Sequence, residues 1–243
     1  MHTFYLAEAG AAGERISLER EEEKHALKVL RLSDGDAICA LDGRGGRFQA
    51  RLRILEGRAF AELEASLADN EPAVRISLYQ GLPKADKLEW IAQKGTELGL
   101  SALCPVQMRS SVVKSNEKDG QKRQERLERI AREAVKQCRR SLPPQITPPL
   151  TWAQALKRLS SCELVLVPWE NERAFTLKQA REAYPNAKDI AIVVGPEGGI
   201  AREEIEALSA LHTECITLGG RILRTETAAL AAIAVVQTLW GDL

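Results

Sequence analysis

Two glycine-bearing turns limit what this chain can fold into more than any other feature. Gly195-Pro196-Glu197-Gly198-Gly199 follows the apolar run Ile190-Ala191-Ile192-Val193-Val194. A second turn, opening on Leu218-Gly219-Gly220-Arg221 and running to Ala228, follows a shorter run at 215–218. A short apolar run bounded by turn residues reads as a strand buried on both faces, the pattern of a parallel sheet covered by helices. Glycines at the carboxyl ends of such strands let bare backbone N–H and C=O groups approach a ligand. A glycine turn can also join strand to helix with no ligand present. Two of them, in this order, favour a site.

The rest of the chain divides at the Asp69-Asn70-Glu71-Pro72 stretch. Before it, β-type runs at 15–18, 37–41, 47–55 and 59–67 alternate with turn signals, and one helix is predicted at 21–30. Residues 1–70 therefore read as a small β-barrel domain. After it, strands at 75–80, 103–106, 164–168, 190–194 and 215–218 alternate with helices at 87–98, 122–140, 151–159, 203–211 and 226–240. Residues 73–243 thus read as an α/β domain with a largely parallel sheet.

No apolar run approaches the roughly 20 residues of a membrane span, and no secretory signal pattern opens the chain, so a cytoplasmic location is expected. The five cysteines are scattered without metal-ligand spacing, and no metal site is expected. Net charge is +0, which argues against nucleic acid until its distribution is considered. Between Arg109 and Arg140 stand eleven Lys/Arg against five Asp/Glu, whereas the first 70 residues hold ten against thirteen. A basic segment of this kind suits phosphate contacts, or else forms a solvated helix face. On the 122–140 helix, Leu127, Ile130, Ala134 and Cys138 read as the buried stripe. Arg123, Arg129, Arg132, Lys136 and Arg139 then form a cationic ridge.

The first turn is neither a phosphate-binding P-loop, because no Gly-Lys-Ser/Thr follows, nor a dinucleotide fingerprint. Glu197 within it would repel a polyphosphate, so an uncharged or cationic ligand fits better there. In the second turn, Thr225 is the expected N-cap of a helix that is apolar on nearly all sides, with Glu226 at its positive end. Arg224 just before it is aimed at a phosphate, a carboxylate or a developing oxyanion, or pairs with Glu197 or Glu226. Lys87 and Glu97 read individually as a solvated helix face.

Taken together, these segments resemble the RsmE-type enzymes of the SPOUT methyltransferase superfamily. Gly195-Pro196-Glu197-Gly198-Gly199, then Leu218-Gly219-x-Arg221-Ile222-Leu223-Arg224-Thr225-Glu226-Thr227-Ala228, carry the resemblance. His25-x-x-x-Val29-Leu30-Arg31, Leu41-Asp42-Gly43, Lys87-x-Glu89, Gln93-Lys94-x-x-Glu97-Leu98-Gly99 and Gln137-Cys138-x-Arg140 extend it along the whole chain. The resemblance implies a PUA-like barrel followed by a trefoil-knotted α/β domain. It implies a homodimer through the knot region, and methylation of N3 of a uridine in bacterial small-subunit (16S) ribosomal RNA from S-adenosylmethionine. The cofactor would be held by Gly195, Pro196, Glu197, Gly198 and Gly199 from the first turn. Leu218, Gly219, Leu223, Arg224 and Thr225 would hold it from the second, with Val167 on a third wall. Arg224 is the expected catalytic cation and Glu226 the expected orienting or proton-accepting group. Arg31, Lys84, Lys94, Arg139 and Arg140 are the expected RNA contacts. Two departures stand out: Ala201, where such enzymes often carry a capping Ser or Thr, and Pro168-Trp169-Glu170. Rival readings are a related enzyme acting on another nucleoside, for instance in transfer RNA, and a non-enzymatic RNA-binding assembly factor.

Overall fold

The period-two patterns of the first seventy residues fold as strands: Phe48, Ala50 and Leu52 point inward while Gln49 and Arg51 face solvent. The computed structural model describes residues 1–113 and 117–243. Lys114, counted in the basic stretch above, lies outside them. Packing divides the chain into two units, Met1–Glu71 with Val135–Pro143, and Pro72–Ala134 with Pro144–Leu243. The 135–143 stretch, assigned from sequence to the C-terminal domain, thus packs with the first unit.

In that first unit, β1 (His2–Tyr5), β2 (Arg15–Ser17), β3 (Ala37–Leu41), β4 (Arg47–Leu55) and β5 (Arg58–Ser66) form one sheet in the order β1-β3-β4-β5-β2. Its two edges meet. Leu6 bridges Leu18, the Ala7 N–H donates to the Ser17 carbonyl at 2.9 Å, and the Glu19 N–H donates to the Tyr5 carbonyl at 3.0 Å. Closure leaves no open edge and encloses Phe4, Leu6, Ile38, Leu52 and Leu63. β1 escaped the sequence reading, its four residues being too few to display a period. The predicted helix at 21–30 is α1 (Arg20–Lys24) continued by a π-helical turn, His25–Val29.

In the 135–143 stretch, two cations are taken up by acids, one buried (Glu22) and one half-buried (Glu71). The Lys136 Nζ lies 2.9 Å from the Glu22 carboxylate, with both side chains about one-tenth exposed. Arg140 is 6% exposed, and its guanidinium grips Glu71, which also accepts the N–H groups of Ser141 and Leu142. Burial pushes the Glu71 carboxyl upward, but Arg140 and the two backbone donors outweigh it and hold it below the usual range. Neither Lys136 nor Arg140 belongs to an exposed ridge. Both are structural cations, and sequence spacing alone does not reveal their acidic partners.

The second unit carries β6 (Arg75–Gly81), β7 (Ala102–Gln107), β8 (Gln145–Ile146), β9 (Leu150–Thr151), β10 (Leu164–Pro168), β11 (Asp189–Val194) and β12 (Thr213–Ile216). Among the described residues these build one sheet, β12-β10-β11-β6-β7-β8 with β9 also on β7, and all its pairings are parallel. Helices α2 (Lys87–Glu97), α3 (Glu117–Cys138), α4 (Trp152–Leu159), α5 (Leu177–Ala183), α6 (Arg202–Leu208) and α7 (Thr225–Trp240) accompany it. The sheet is buried on both sides, which is why its strands read as continuous apolar runs. Ile190, Ile192 and Val194 pack in one cluster with Ile233 and Val236 of α7, while Ala191 and Val193 pack in another with Tyr79 and Val165. In α3 the buried stripe is Leu127, Ala131, Ala134 and Val135, with Ile130 and Cys138 only partly covered. α5 was missed although it carries a start signal. The Thr176 hydroxyl accepts the Gln179 N–H at 3.3 Å, and the Gln179 side chain accepts the Thr176 N–H at 2.9 Å. No helix among the described residues is long and apolar enough to cross a membrane.

Candidate active site

Strands β10, β11 and β12 are parallel neighbours, so their carboxyl ends open on one side of the sheet, and both glycine turns are there. β11 stops at Val194, and the turn closes when the Gly199 N–H donates to the Pro196 carbonyl at 2.9 Å. Gly199 sits at φ +74°, and a Cβ on it would lie 2.9 Å from the Glu170 Oε1. Gly81, ending β6, lets Pro196 lie directly on the strand, because a side chain there would overlap the proline ring. Ala201 opens α6 without a hydroxyl. Glu204 compensates, accepting the Ala201 N–H at 2.9 Å through one oxygen and the Arg109 N–H at 2.9 Å through the other.

The start of α7 differs from the expected arrangement. Arg224 holds the N-cap position without a side-chain cap bond, and Thr225 is the first helical residue. The Thr225 hydroxyl instead donates to the Gly195 carbonyl at 2.6 Å and accepts the Gln80 Nε2 at 2.8 Å. Gln80 is fully buried. One hydroxyl therefore ties β6, the first glycine turn and α7 together, and neither loop can shift without breaking it.

Lys87 forms the second tie. Its Nζ lies 2.9 Å from Glu197 in the first turn and 3.3 Å from Glu226 on α7. The Lys84 N–H also donates to Glu197, at 3.1 Å. Partial burial raises the Glu197 carboxyl, but the bond from Lys87 and the backbone donors prevail and lower it below its ordinary value. The bond to Glu197 raises Lys87 in turn. The lowered Glu197 and the raised Lys87 both stay charged at neutral pH. Lys87 is thus no solvated surface residue. A signal existed: it is the first residue of α2, where the helix dipole disfavours a cation, and such a placement calls for a local anion.

A cavity of about 550 Å³ opens between these elements, within the range of small-molecule sites. Gly195, Pro196, Glu197, Gly198, Gly199, Leu223, Arg224 and Thr225 line it, as do Lys87, Pro168 and Glu170. A smaller one of about 100 Å³, lined by Leu218, Gly219, Trp169 and Arg173 among others, shares the wall of Pro168, Glu170, Ile222, Leu223 and Ala228. Val167 is not on either wall. It is fully buried in the sheet, because strand alternation turns its side chain into the core, and Pro168 and Glu170 face the cavity instead. Arg224 is exposed, and its guanidinium has no hydrogen-bond or ion-pair partner among the described residues. Pairing with Glu197 or Glu226 is not what holds it. Glu226 turns toward Lys87 and does not line the cavity.

The expected RNA contacts fall in different settings. Arg31 and Arg139 are exposed residues of the first unit, both with left-handed backbone. Lys84 is exposed in the second unit, while Lys94 pairs with Glu97 at 2.9 Å and lies over the Trp90 ring.

Comparison with known proteins covers nearly the whole chain. A family model described as an RNA methyltransferase domain matches residues 70–237, and one described as an RNA methyltransferase PUA domain matches residues 18–64. The chain is 34% identical over 237 residues to ribosomal RNA small subunit methyltransferase E of Bacillus subtilis, covering 93% of each. A crystal structure of the Neisseria gonorrhoeae ribosomal RNA small subunit methyltransferase E bound to S-adenosyl methionine is similar at a TM-score of 0.89 and 36% identity, covering 100% of this chain and 99% of that one. A putative methyltransferase from Legionella pneumophila with bound SAM follows at 0.85 and 29%, covering 99% and 98%.

Proposed function

This chain belongs to the ribosomal RNA small subunit methyltransferase E family, and from that premise we infer that it methylates N3 of a uridine in bacterial small-subunit (16S) ribosomal RNA, with S-adenosylmethionine as donor. The observation that carries the reading is a single cavity at the carboxyl ends of parallel strands. It combines a glycine turn of backbone groups with a cationic side chain left free.

The donor supplies an electrophilic methyl group on a sulfonium cation. The cavity admits a ligand of that charge: Glu197 is met by Lys87, while Glu170 lines it with no ion-pair partner among the described residues. The turns at 195–199 and 218–225 hold the ligand chiefly through backbone groups, with Pro168 and Glu170 as the third wall. The neutral imide nitrogen of uridine is a poor nucleophile, so its proton must leave while negative charge spreads onto the adjacent carbonyl oxygens. Arg224 stabilises that charge, its guanidinium free to meet it without first breaking an internal ion pair. Glu226, held by Lys87, orients the base or accepts the proton through water. The uridine must leave any base stack to reach the cavity. Arg31, Lys84, Lys94 and Arg139 contact RNA phosphates, and Arg140 is withdrawn from that set by its pairing with Glu71.

The enzyme works in the cytoplasm as a homodimer, and the trefoil knot lies within the segment from β10 to α7. The dimer is supported by α7, which keeps Ala231, Ala234 and Val235 on an outward face, Val235 being 39% exposed.

Isothermal titration with S-adenosylmethionine and S-adenosylhomocysteine, followed by methyl transfer to 16S ribosomal RNA lacking the modification, tests the reading. Saturable binding near one site per chain with product at uridine N3 is expected. Binding of neither compound, with RNA present or absent, overturns it.

A further inference from the structure

A second cavity in the same unit, of about 460 Å³, is lined by Pro83, Ala85, Asp86, Leu88 and Glu89 from the start of α2 and by Lys122, Arg123, Arg126 and Leu127 from α3. Its charges are unevenly committed. Arg126 is neutralised by Glu89 at 2.7 Å. Lys122 and Arg123 have no hydrogen-bond or ion-pair partner among the described residues, and Asp86 alone opposes them on the wall. A concave groove with two free cations of different reach accepts an extended anion better than a flat charged face does.

The groove's position adds the second argument. The 83–88 turn is its wall, and the same turn is fastened to the first cavity through two bonds to Glu197, from the Lys84 N–H and the Lys87 Nζ. Lys87 lines the first cavity while its neighbours Asp86 and Leu88 line the groove. The two cavities therefore both border one short, tethered turn. Ala85, at the centre of that turn, adopts φ +54°, a conformation costly for a residue with a Cβ.

We propose that this groove is a phosphate-binding site for the RNA strand flanking the target nucleotide, with Lys122 and Arg123 as its ligands. The inference rests on the methyltransferase reading for the identity of the anion. The groove borders the same tethered turn as the first cavity, within reach of the phosphates that flank a base seated there. Phosphate contacts of this kind set register and carry no base preference.

The test uses the full-length protein, deproteinised bacterial 16S ribosomal RNA and salt-dependent binding. The K122E/R123E variant should bind this RNA more weakly, with the slope of log affinity against log salt reduced by about two. KM for RNA should rise while kcat at saturating RNA and the calorimetric affinity for S-adenosylmethionine stay unchanged. Arg129→Glu reverses an exposed charge on α3 that does not line the groove, and R123E should exceed it in effect. Equal effects of the two single variants, or an unchanged slope in the double variant, would overturn the groove. Loss confined to an acidic protein ligand, with RNA affinity intact, would overturn it as well. RNA affinity is read independently of turnover. A wild type that binds RNA through the groove yet transfers no methyl therefore refutes the methyltransferase reading and leaves the groove standing.

Discussion

Arg224 and Thr225 are adjacent, yet they divide the labour of the site between charge and position. Arg224→Ala should lower kcat by about 100- to 1,000-fold, the usual loss for a donor to a developing oxyanion, with S-adenosylmethionine affinity nearly intact. Single-turnover rates and calorimetry check this, and equal loss of both would make Arg224 part of the cofactor pocket instead. Thr225→Val keeps the shape but removes the hydroxyl between Gln80 and the Gly195 carbonyl. Two buried polar groups then lose a partner, so stability should fall by about 1–3 kcal/mol in a denaturant titration. Both residues stand out in the sequence, Arg224 because no packing role explains it. What Thr225 does is not legible there: a Thr before an apolar helix reads as a cap, and only the proximity of Gly195 and Gln80 draws its hydroxyl away from the helix end. Lys87 signals that an anion must lie near the start of α2, but which anions was illegible, since its two partners lie 110 and 139 positions further along the chain.

Helix α7 shows at the level of an element how a pattern can be read correctly and still leave its use undecided. Its nearly continuous apolar sequence predicts burial all round, and its inner face does pack with α2 and the sheet. Its outer face, where Val235 is 39% exposed, is where the proposed second copy would lie. Val235→Glu should therefore convert a dimer into a monomer in light scattering, with little change in secondary structure by circular dichroism. A species already monomeric in the wild type would remove the dimer from the model of the enzyme. The end of α3 carries a different lesson. Arg140→Ala leaves the half-buried Glu71 carboxylate with only its backbone donors, a change expected to cost about 1–3 kcal/mol. Thermal unfolding measures it, and replacing Glu71 by Gln in the same variant should recover much of the loss. Sequence spacing placed Lys136 on a cationic ridge, and Arg140 among the expected RNA contacts, because helical periodicity says which residues share a face and nothing about which acid lies opposite.

For the molecule as a whole, acid should be more damaging than its zero net charge suggests. Burial raises the Glu71 and Glu197 carboxyls, but their cationic and backbone partners hold both below the ordinary value of 4.5 in the native state. A lowered native value means the unfolded chain takes up protons first. The stabilisation is complete above the unfolded-state value and is lost as pH falls through the native ones. Melting temperature should accordingly drop between about pH 5 and pH 3, and less steeply for a Glu71→Gln, Glu197→Gln double variant. Identical profiles would mean these carboxylates titrate normally. The sequence by itself determined the barrel-then-parallel-sheet order and the two glycine turns, together with Arg224 as a cation without a packing role. These are local properties, written in residue periodicity, in glycine and in the composition of short runs. Tertiary structure alone decided that Thr225 and Lys87 lock the turns together. It also decided that Lys136 and Arg140 are paired with acids, that Pro168 and Glu170 rather than Val167 line the cavity, and that a second groove shares the 83–88 turn. Each depends on groups distant in sequence meeting at hydrogen-bond range, and chain folding supplies that proximity where no local pattern records it.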